Sequence, residues 1–267
     1  MNRIVALTVN VHGLGPEAAT EPASALYGRF AHGGYAYHRG LARLLDALRA
    51  AGVPATFFWP SSEAARCPAL LERCLADGHE VAAHGRAFED HMTLGAAEEA
   101  AILEEAHDAL TACCGTAPLG FRAPTGTLAA STFGTLHRLG YRYDSSNVDD
   151  DAPYALAADG APGMVELPLS EGLTDATHFG RRLTQSRAEA FLTEELDALL
   201  PADGFACITL HPRGDLGLAR EARIPILLRL LDRARAVHGA EFRLCRDIAA
   251  AAFRPDGRVT WNGKLRP

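Results

Sequence analysis

The sequence predicts an α/β fold, a closed barrel of about seven β/α units, on three observations. Short β-rich runs alternate with amphipathic helical stretches along all 267 residues, and such alternation implies a mainly parallel sheet with helical crossovers. Seven or so units favour a barrel over a doubly wound sheet. Neither G-x-G-x-x-G nor G-x-x-x-x-G-K-[ST] follows the first strand, which argues against the nucleotide-binding folds. At roughly 150 residues per domain the length allows one or two domains. With no linker in view, residues 1–267 read as one.

The elements follow in order. Ile4 to Val9 reads as a strand, and Tyr37 to Ala51 as a helix, with Leu41, Leu44, Leu45 and Leu48 at i, i+3, i+4 and i+7. A Gly-Val-Pro turn leads to a strand over Ala55 to Trp59. Helix Pro68 to Ala76 precedes strand Glu80 to Ala83, and helix Thr93 to Cys113 precedes strand Leu119 to Arg122. Helix Ser131 to Leu139 with strand Tyr141 to Asp144 continues the alternation. Met164 to Leu167, Arg187 to Leu200, Ala206 to Leu210, Pro225 to Val237 and Phe242 to Leu244 complete it. The Gly/Pro-rich segment from Gly13 to Gly34 follows strand one directly, where long loops tend to be functional.

Charge removes whole classes of partner. The 26 Lys and Arg against 33 Asp and Glu leave a net charge of −7, and the basic residues are scattered, so neither nucleic acid nor an anionic membrane has a patch to bind. No apolar run approaches the ~18 residues of a membrane span. The first residues enter a β-like run without the pattern of a secretory leader, so a cytoplasmic setting is expected. Six cysteines without a C-x-x-C pair point to free, mostly buried thiols.

In a parallel α/β barrel the chemistry sits where strands end. Asn10-Val11-His12-Gly13 follows the first strand, and His84 to His91 follows the third. Arg122-Ala123-Pro124-Thr125-Gly126 follows the fourth, Asp144-Ser145-Ser146 the fifth, and His211-Pro212-Arg213-Gly214 a later apolar strand. Histidines, an arginine and carboxylates thus converge on one rim. Each ending alone would pass for a structural residue, but several together indicate a site.

The ordered motifs Asn-x-His-Gly, Gly-His-Glu-x-x-x-His-Gly, Phe-Arg-x-Pro-x-Gly, Tyr-Asp-Ser-Ser, Glu-Leu-Pro and Leu-His-Pro resemble those of the polysaccharide deacetylase superfamily. The likeness is greatest to its cytoplasmic branch of peptidoglycan-deacetylase-like proteins and metal-independent allantoinases. It spans nearly the whole chain, and it implies a distorted (β/α)7 barrel that hydrolyses amide C–N bonds. It also implies a tendency to form homo-oligomers.

The departures define the problem. Family members usually carry two carboxylates in the first motif, one a general base and one a metal ligand, where this chain has Asn10 and His12. They supply two metal-binding histidines four residues apart, where it has His84 and Phe88. Three readings stay open. In the first, His12, His84 and His91 form a three-nitrogen site for zinc or another divalent metal, with an open position for water. His91 lies one helical turn past Phe88, on the same face if a helix starts there. In the second, catalysis is metal-free: Glu89 or Asp175 activates water, His211 is the acid toward the leaving nitrogen, and Arg122 stabilises charge or orients substrate. The third is a catalytically silent, ligand-binding barrel.

By resemblance, His211 is the general acid and Arg122 orients the catalytic carboxylate. With Asn10 in that carboxylate's place, Arg122 is free for the substrate or pairs with Glu89 or Asp144. Asn10, Phe88, Pro124 and Trp59 are the candidate substrate-binding residues. The expected function is hydrolysis of a small N-acylated or cyclic amide, with a silent binder or an O-acetyl esterase as alternatives.

Overall fold

The computed structural model describes residues 3–20, 26–28, 31–156, 162–252, 260–261 and 264–265. Nine strands form its main sheet: β1 (Ile4–Asn10), β2 (Thr56–Trp59), β3 (Glu80–Ala83), β4 (Gly120–Phe121), β5 (Tyr143–Asp144), β6 (Tyr154–Ala155), β7 (Val165–Glu166), β8 (Phe205–Leu210) and β9 (Glu241–Arg243). Their order is β6-β7-β5-β4-β3-β2-β1-β8, and every pair but β6–β7 is parallel. β8 runs along one whole edge of β1; β9 takes the lower half of the other edge (Ile4–Ala6) and β2 the upper half (Thr8–Asn10). The run after β7 leaves β5 and reaches β8, where Thr174 bridges Thr209 and the Cys207 amide donates to Ser170 Oγ at 3.1 Å. That crossing curls the sheet into the distorted barrel the sequence predicts.

Strand alternation divides the core in two. Alternate residues of β1, β2 and β8 (Val5, Leu7, Val9; Phe57, Trp59; Ala206, Ile208, Leu210) face outward into the layer beneath the helices. The residues between them (Ile4, Ala6; Phe58; Cys207) fill the barrel interior with Ala82, Tyr143, Val165 and Phe205. Continuous burial of both faces is what a helix-covered parallel strand requires.

The helices are α1 (Gly15–Ala18), α2 (Leu41–Ala51), α3 (Ser61–Arg66), α4 (Pro68–Ala76), α5 (Ala96–Cys114), α6 (Thr132–Arg138), α7 (Asp175–Phe179), α8 (Gln185–Ala202), α9 (Ile224–Ala236) and α10 (Cys245–Ala252). α2 buries the predicted leucine stripe and stops at Gly52, whose φ of 59° is a left-handed cap. The predicted helix from Tyr37 opens instead with a π turn, Ala36–Gly40. A Cβ at Gly40 would lie 1.7 Å from the Pro212 carbonyl, so the chain crosses the His211 loop at backbone contact. The helix predicted from Thr93 starts at Ala96, because Leu94 and Gly95 are extended after a separate 3₁₀ turn, His91–Thr93, capped by Asp90. Of the six free cysteines, Cys74, Cys207 and Cys245 are buried. No helix among the described residues is long and apolar enough to cross a membrane.

β5 and β7 each end in a buried carboxyl. Asp144 accepts from the Ser146 amide (2.9 Å) and hydroxyl (3.0 Å), and Glu166 accepts from the Asn147 amide (3.0 Å). Burial pushes Asp144 up to about 6; burial, and then the Asp144 charge, hold Glu166 well above the carboxylate range. The folded pair therefore keeps protons that the unfolded chain releases near pH 4. Stability is expected to fall as pH rises from about 4 toward 6. Urea midpoints across that window should show the slope, and Glu166→Gln should flatten it.

Candidate active site

The inner residues that continue upward from the barrel floor build the site. β1 presents Thr8 and Asn10 and then leads to His12; β3 leads to His84, β4 to Arg122, and β8 presents Thr209 and leads to His211. At their centre lies Arg122, 1% exposed. Its Nε donates to the Ser145 carbonyl (2.7 Å), Nη1 to Thr8 Oγ1 (3.0 Å) and Asn10 Oδ1 (2.9 Å), and Nη2 to Ser145 Oγ (2.7 Å) and, weakly, Cys207 Sγ (3.7 Å). The guanidinium carbon stands 4.0 Å above the Phe58 ring, a favourable face for a cation. Every guanidinium donor is thus used inside the protein. Arg122 touches neither Glu89 nor substrate space. It fixes Asn10, even though residue 10 carries no charge.

With Oδ1 held by Arg122, the Asn10 amide must present its NH₂ to the rim, and Nδ2 lies 3.4 Å from His211 Nε2. That is at the long end for a bond between them, so the two nitrogens lie side by side on the rim. His211 is held from behind. Asp175 Oδ1 accepts from His211 Nδ1 (2.7 Å), while Oδ2 accepts from the backbone amides of His211 (2.9 Å) and Leu218 (2.8 Å). Asp175 is fully buried and both its oxygens are occupied. It is a positioning residue rather than the water base expected from the sequence. The proton it fixes on Nδ1 turns the other nitrogen of His211, Nε2, toward the rim.

His12 and His84 meet through their Nε2 atoms at 2.8 Å. Their ring planes are parallel within 8° at a centroid spacing of 4.8 Å, which displaces the rings sideways and brings the two Nε2 edges within N–H···N distance. His84 Nδ1 lies 2.6 Å from the Arg122 carbonyl, which can only accept. Burial first, and then the neighbouring positive groups, push His12 well below the usual imidazole range; burial brings His84 down to about 3. Both rings are neutral at pH 7. Phe88 meets His12 edge to face at 5.0 Å and His211 lies 5.4 Å from it, ring to ring. Phe88 thus packs against the histidine couple at the rim.

Four other expected residues lie elsewhere. Glu89 accepts from the Arg86 (3.2 Å) and Ala87 (2.9 Å) amides and pairs with the Arg86 side chain at 3.3 Å, so it braces its own loop and is not poised to activate water. His91 is buried with Nδ1 3.2 Å from Glu99 and its ring against Phe121. Because its turn precedes α5, it faces the Glu99–Ser131–Thr132 cluster and not His12 or His84. Trp59 lies on an odd position of β2 and is core, 0% exposed; Phe58 is the ring beneath the site. Pro124 is buried where a Gly85 Cβ would meet its Cγ at 2.9 Å, so it supports the His84 turn. Of the residues that hold Arg122, Ser145 belongs to the strand end read from the sequence, whereas Thr8 was not singled out, though period two from Asn10 would have found it.

The donor set does not fit the divalent ion the resemblance implies. A protein zinc site needs three protein ligands. Here two imidazole nitrogens bond each other, the residue 10 oxygen is held by Arg122, and Phe88 has no donor. No three His, Cys, Asp or Glu residues among those described group so as to hold a metal.

The loop after β1 is clasped over this rim. Arg213, 3% exposed, donates to the Gly13 carbonyl (2.9 Å) and pairs with Glu17 and Asp215. The Leu14 amide donates to Tyr37 Oη (2.7 Å), and the phenol lies near buried Glu63. A Cβ at Gly13 would lie 1.9 Å from that phenol oxygen, so only glycine permits the crossing. His211 is left 5% and His12 9% exposed.

Residues 30–143 match the polysaccharide deacetylase family model. A solved structure from Mycobacterium smegmatis, assigned to the polysaccharide deacetylases, is 30% identical, superposes with a TM-score of 0.87, and is matched over 94% of its length and 99% of this chain. Puue allantoinase shares the fold at a TM-score of 0.76 and 22% identity, over 92% of this chain and 89% of its own. The peptidoglycan deacetylase of Helicobacter pylori is 30% identical over 116 residues, 43% of this chain and 40% of its own length. The chain therefore spans about 40% of the length of the first curated relatives it matches.

Proposed function

The chain belongs to the polysaccharide deacetylase family, and from that premise we propose that it hydrolyses the amide C–N bond of a small N-acylated or cyclic amide substrate. The observation that carries this reading is the Asp175–His211 dyad, in which His211 Nε2 lies beside the Asn10 amide nitrogen at 3.4 Å, so that one bound amide can meet both. An imidazole held this way suits proton transfer to a leaving nitrogen. The Asn10 NH₂ is aimed where a carbonyl oxygen would gain charge. Water adds to the carbonyl carbon as an imidazole takes its proton, and the oxyanion accepts from Asn10 Nδ2. Protonated His211 then gives its Nε2 proton to the nitrogen, the C–N bond breaks, and a carboxylic acid and an amine remain. With a ring substrate the two stay joined as a ring-opened product.

The narrow exposure of both histidines under the clasped loop favours a small substrate over a polymer chain. Six free cysteines suit a reducing cytoplasm, and a net charge of −7 disfavours nucleic acid and membranes as partners. Assembly into a homo-oligomer belongs to the same proposal. A second reading, a silent ligand-binding barrel, is favoured by one observation: neither carboxylate of the family's first motif is present.

The test is incubation of purified protein with N-acetyl and N-formyl amino sugars, ureides, cyclic imides and O-acetyl sugars. Release of acetate or formate from nitrogen, or ring opening, is the expected result. Product from the O-acetyl compounds alone would make it an esterase; ligand binding without product from any of them would establish the binder.

A further inference from the structure

Glu89 and Asp175 are both committed to backbone amides, so neither carboxylate expected from the sequence is left to activate water. The hydrogen-bond chain through His12 and His84 points to a different group. A carbonyl cannot donate, so the 2.6 Å contact to the Arg122 oxygen requires the proton of neutral His84 on Nδ1. His84 Nε2 is then a lone pair, and the 2.8 Å contact requires the proton of His12 on Nε2. That leaves the lone pair of His12 on Nδ1, the one ring nitrogen of this couple with no partner among the described residues and not among the fully buried polar atoms that lack one. We propose that His12 Nδ1 is the base that takes the proton from the attacking water, and that His84 is a positioning residue that dictates its tautomer.

The proposal rests on the hydrolase reading and names its missing group. It places His12, 5.4 Å from His211 ring to ring, across the reacting centre from the acid. The water proton goes to His12 Nδ1 as the new C–O bond forms, His211 gives one up as the C–N bond breaks, and the two exchange the proton through solvent between turnovers. Burial first, and then the charges of His211, Arg213 and Arg122, oppose a positive His12 in the resting site. The negative tetrahedral adduct offsets the charge part of that opposition during the step itself, so the base charges only when the oxyanion forms.

The experiment has two parts on the intact protein. Long-range ¹H–¹⁵N correlation spectra of labelled wild type assign the tautomers: His12 is expected protonated on Nε2 and bare on Nδ1, and His84 the reverse. His84→Gln should mix the His12 tautomers. His12→Gln should lose about 10²- to 10⁴-fold in kcat with KM little changed. A protonated His12 Nδ1 in wild type overturns the proposal whatever the activity. Wild-type kcat in His12→Gln overturns it while leaving the hydrolase reading intact. A wild type inert on every substrate overturns both.

Discussion

Asp175→Asn is expected to lower turnover by about 10²- to 10⁴-fold and leave the barrel folded. The carboxylate takes three N–H donors, the imidazole on one oxygen and two backbone amides on the other. An asparagine keeps the shape and has one oxygen. Turned toward the amides of His211 and Leu218, it presents its NH₂ to His211 Nδ1, drives the ring proton onto Nε2 and leaves Nδ1 as the acceptor. The nitrogen facing Asn10 then carries the one proton of a neutral ring, a very weak acid, and no carboxylate remains to hold the second proton that makes His211 an imidazolium. Turned the other way, it leaves two backbone amides facing an NH₂, and the His211 loop loses its anchor. Either rotamer removes the acid, and the first does so without moving the chain. Single-turnover rates on a substrate found by the panel, with urea midpoints beside them, check this. Wild-type turnover in a folded Asp175→Asn protein would remove the dyad from the mechanism.

The same residue shows how far a sequence carries. The β/α alternation places strand ends on one rim, and the structure finds Asn10, His12, His84, Arg122 and His211 there. Which atoms are free is another matter. Asp175 and Glu89 look like available bases in a sequence, because nothing in a linear chain shows a carboxylate consumed by amides of its own or a neighbouring loop. Trp59 and Phe58 differ by one position, and only the register of β2 against β1 and β3 decides which ring enters the barrel. His91 fails as a ligand for a similar reason: two extended residues, Leu94 and Gly95, break the helical continuity that would have turned it inward.

Arg122 is the clearest case of a role the residue type hid. Loss of the family's carboxylate at position 10 suggests an arginine released toward substrate. Yet a guanidinium 1% exposed has no route to substrate, and its five donors are held by four residues. A buried cation with neutral acceptors has a high desolvation cost. What it gives the site in return is one fixed amide: Asn10 Oδ1 at 2.9 Å.

From this follows an expected non-additivity. Asn10→Ala removes the oxyanion donor and should lower kcat by about 10²- to 10³-fold. Arg122→Lys keeps the charge but replaces a planar fork with a single ammonium, which cannot serve Ser145, Thr8 and Asn10 together. Asn10 is then free to turn its oxygen toward His211, and kcat should fall by a similar factor with KM little changed. If Arg122 acts through Asn10, the double variant is no slower than the worse single one, whereas independent roles would multiply. Stability separates this from a general loss of packing. Two acceptors, Asn10 Oδ1 and the Ser145 carbonyl, have no other partner in the arginine's place, at about 1–3 kcal/mol each, and relief of the buried guanidinium offsets part of that cost. A double-mutant cycle in kcat, read with urea midpoints of all four proteins, distinguishes the cases. Multiplicative losses would mean that Arg122 stabilises the transition state by a path that does not run through Asn10.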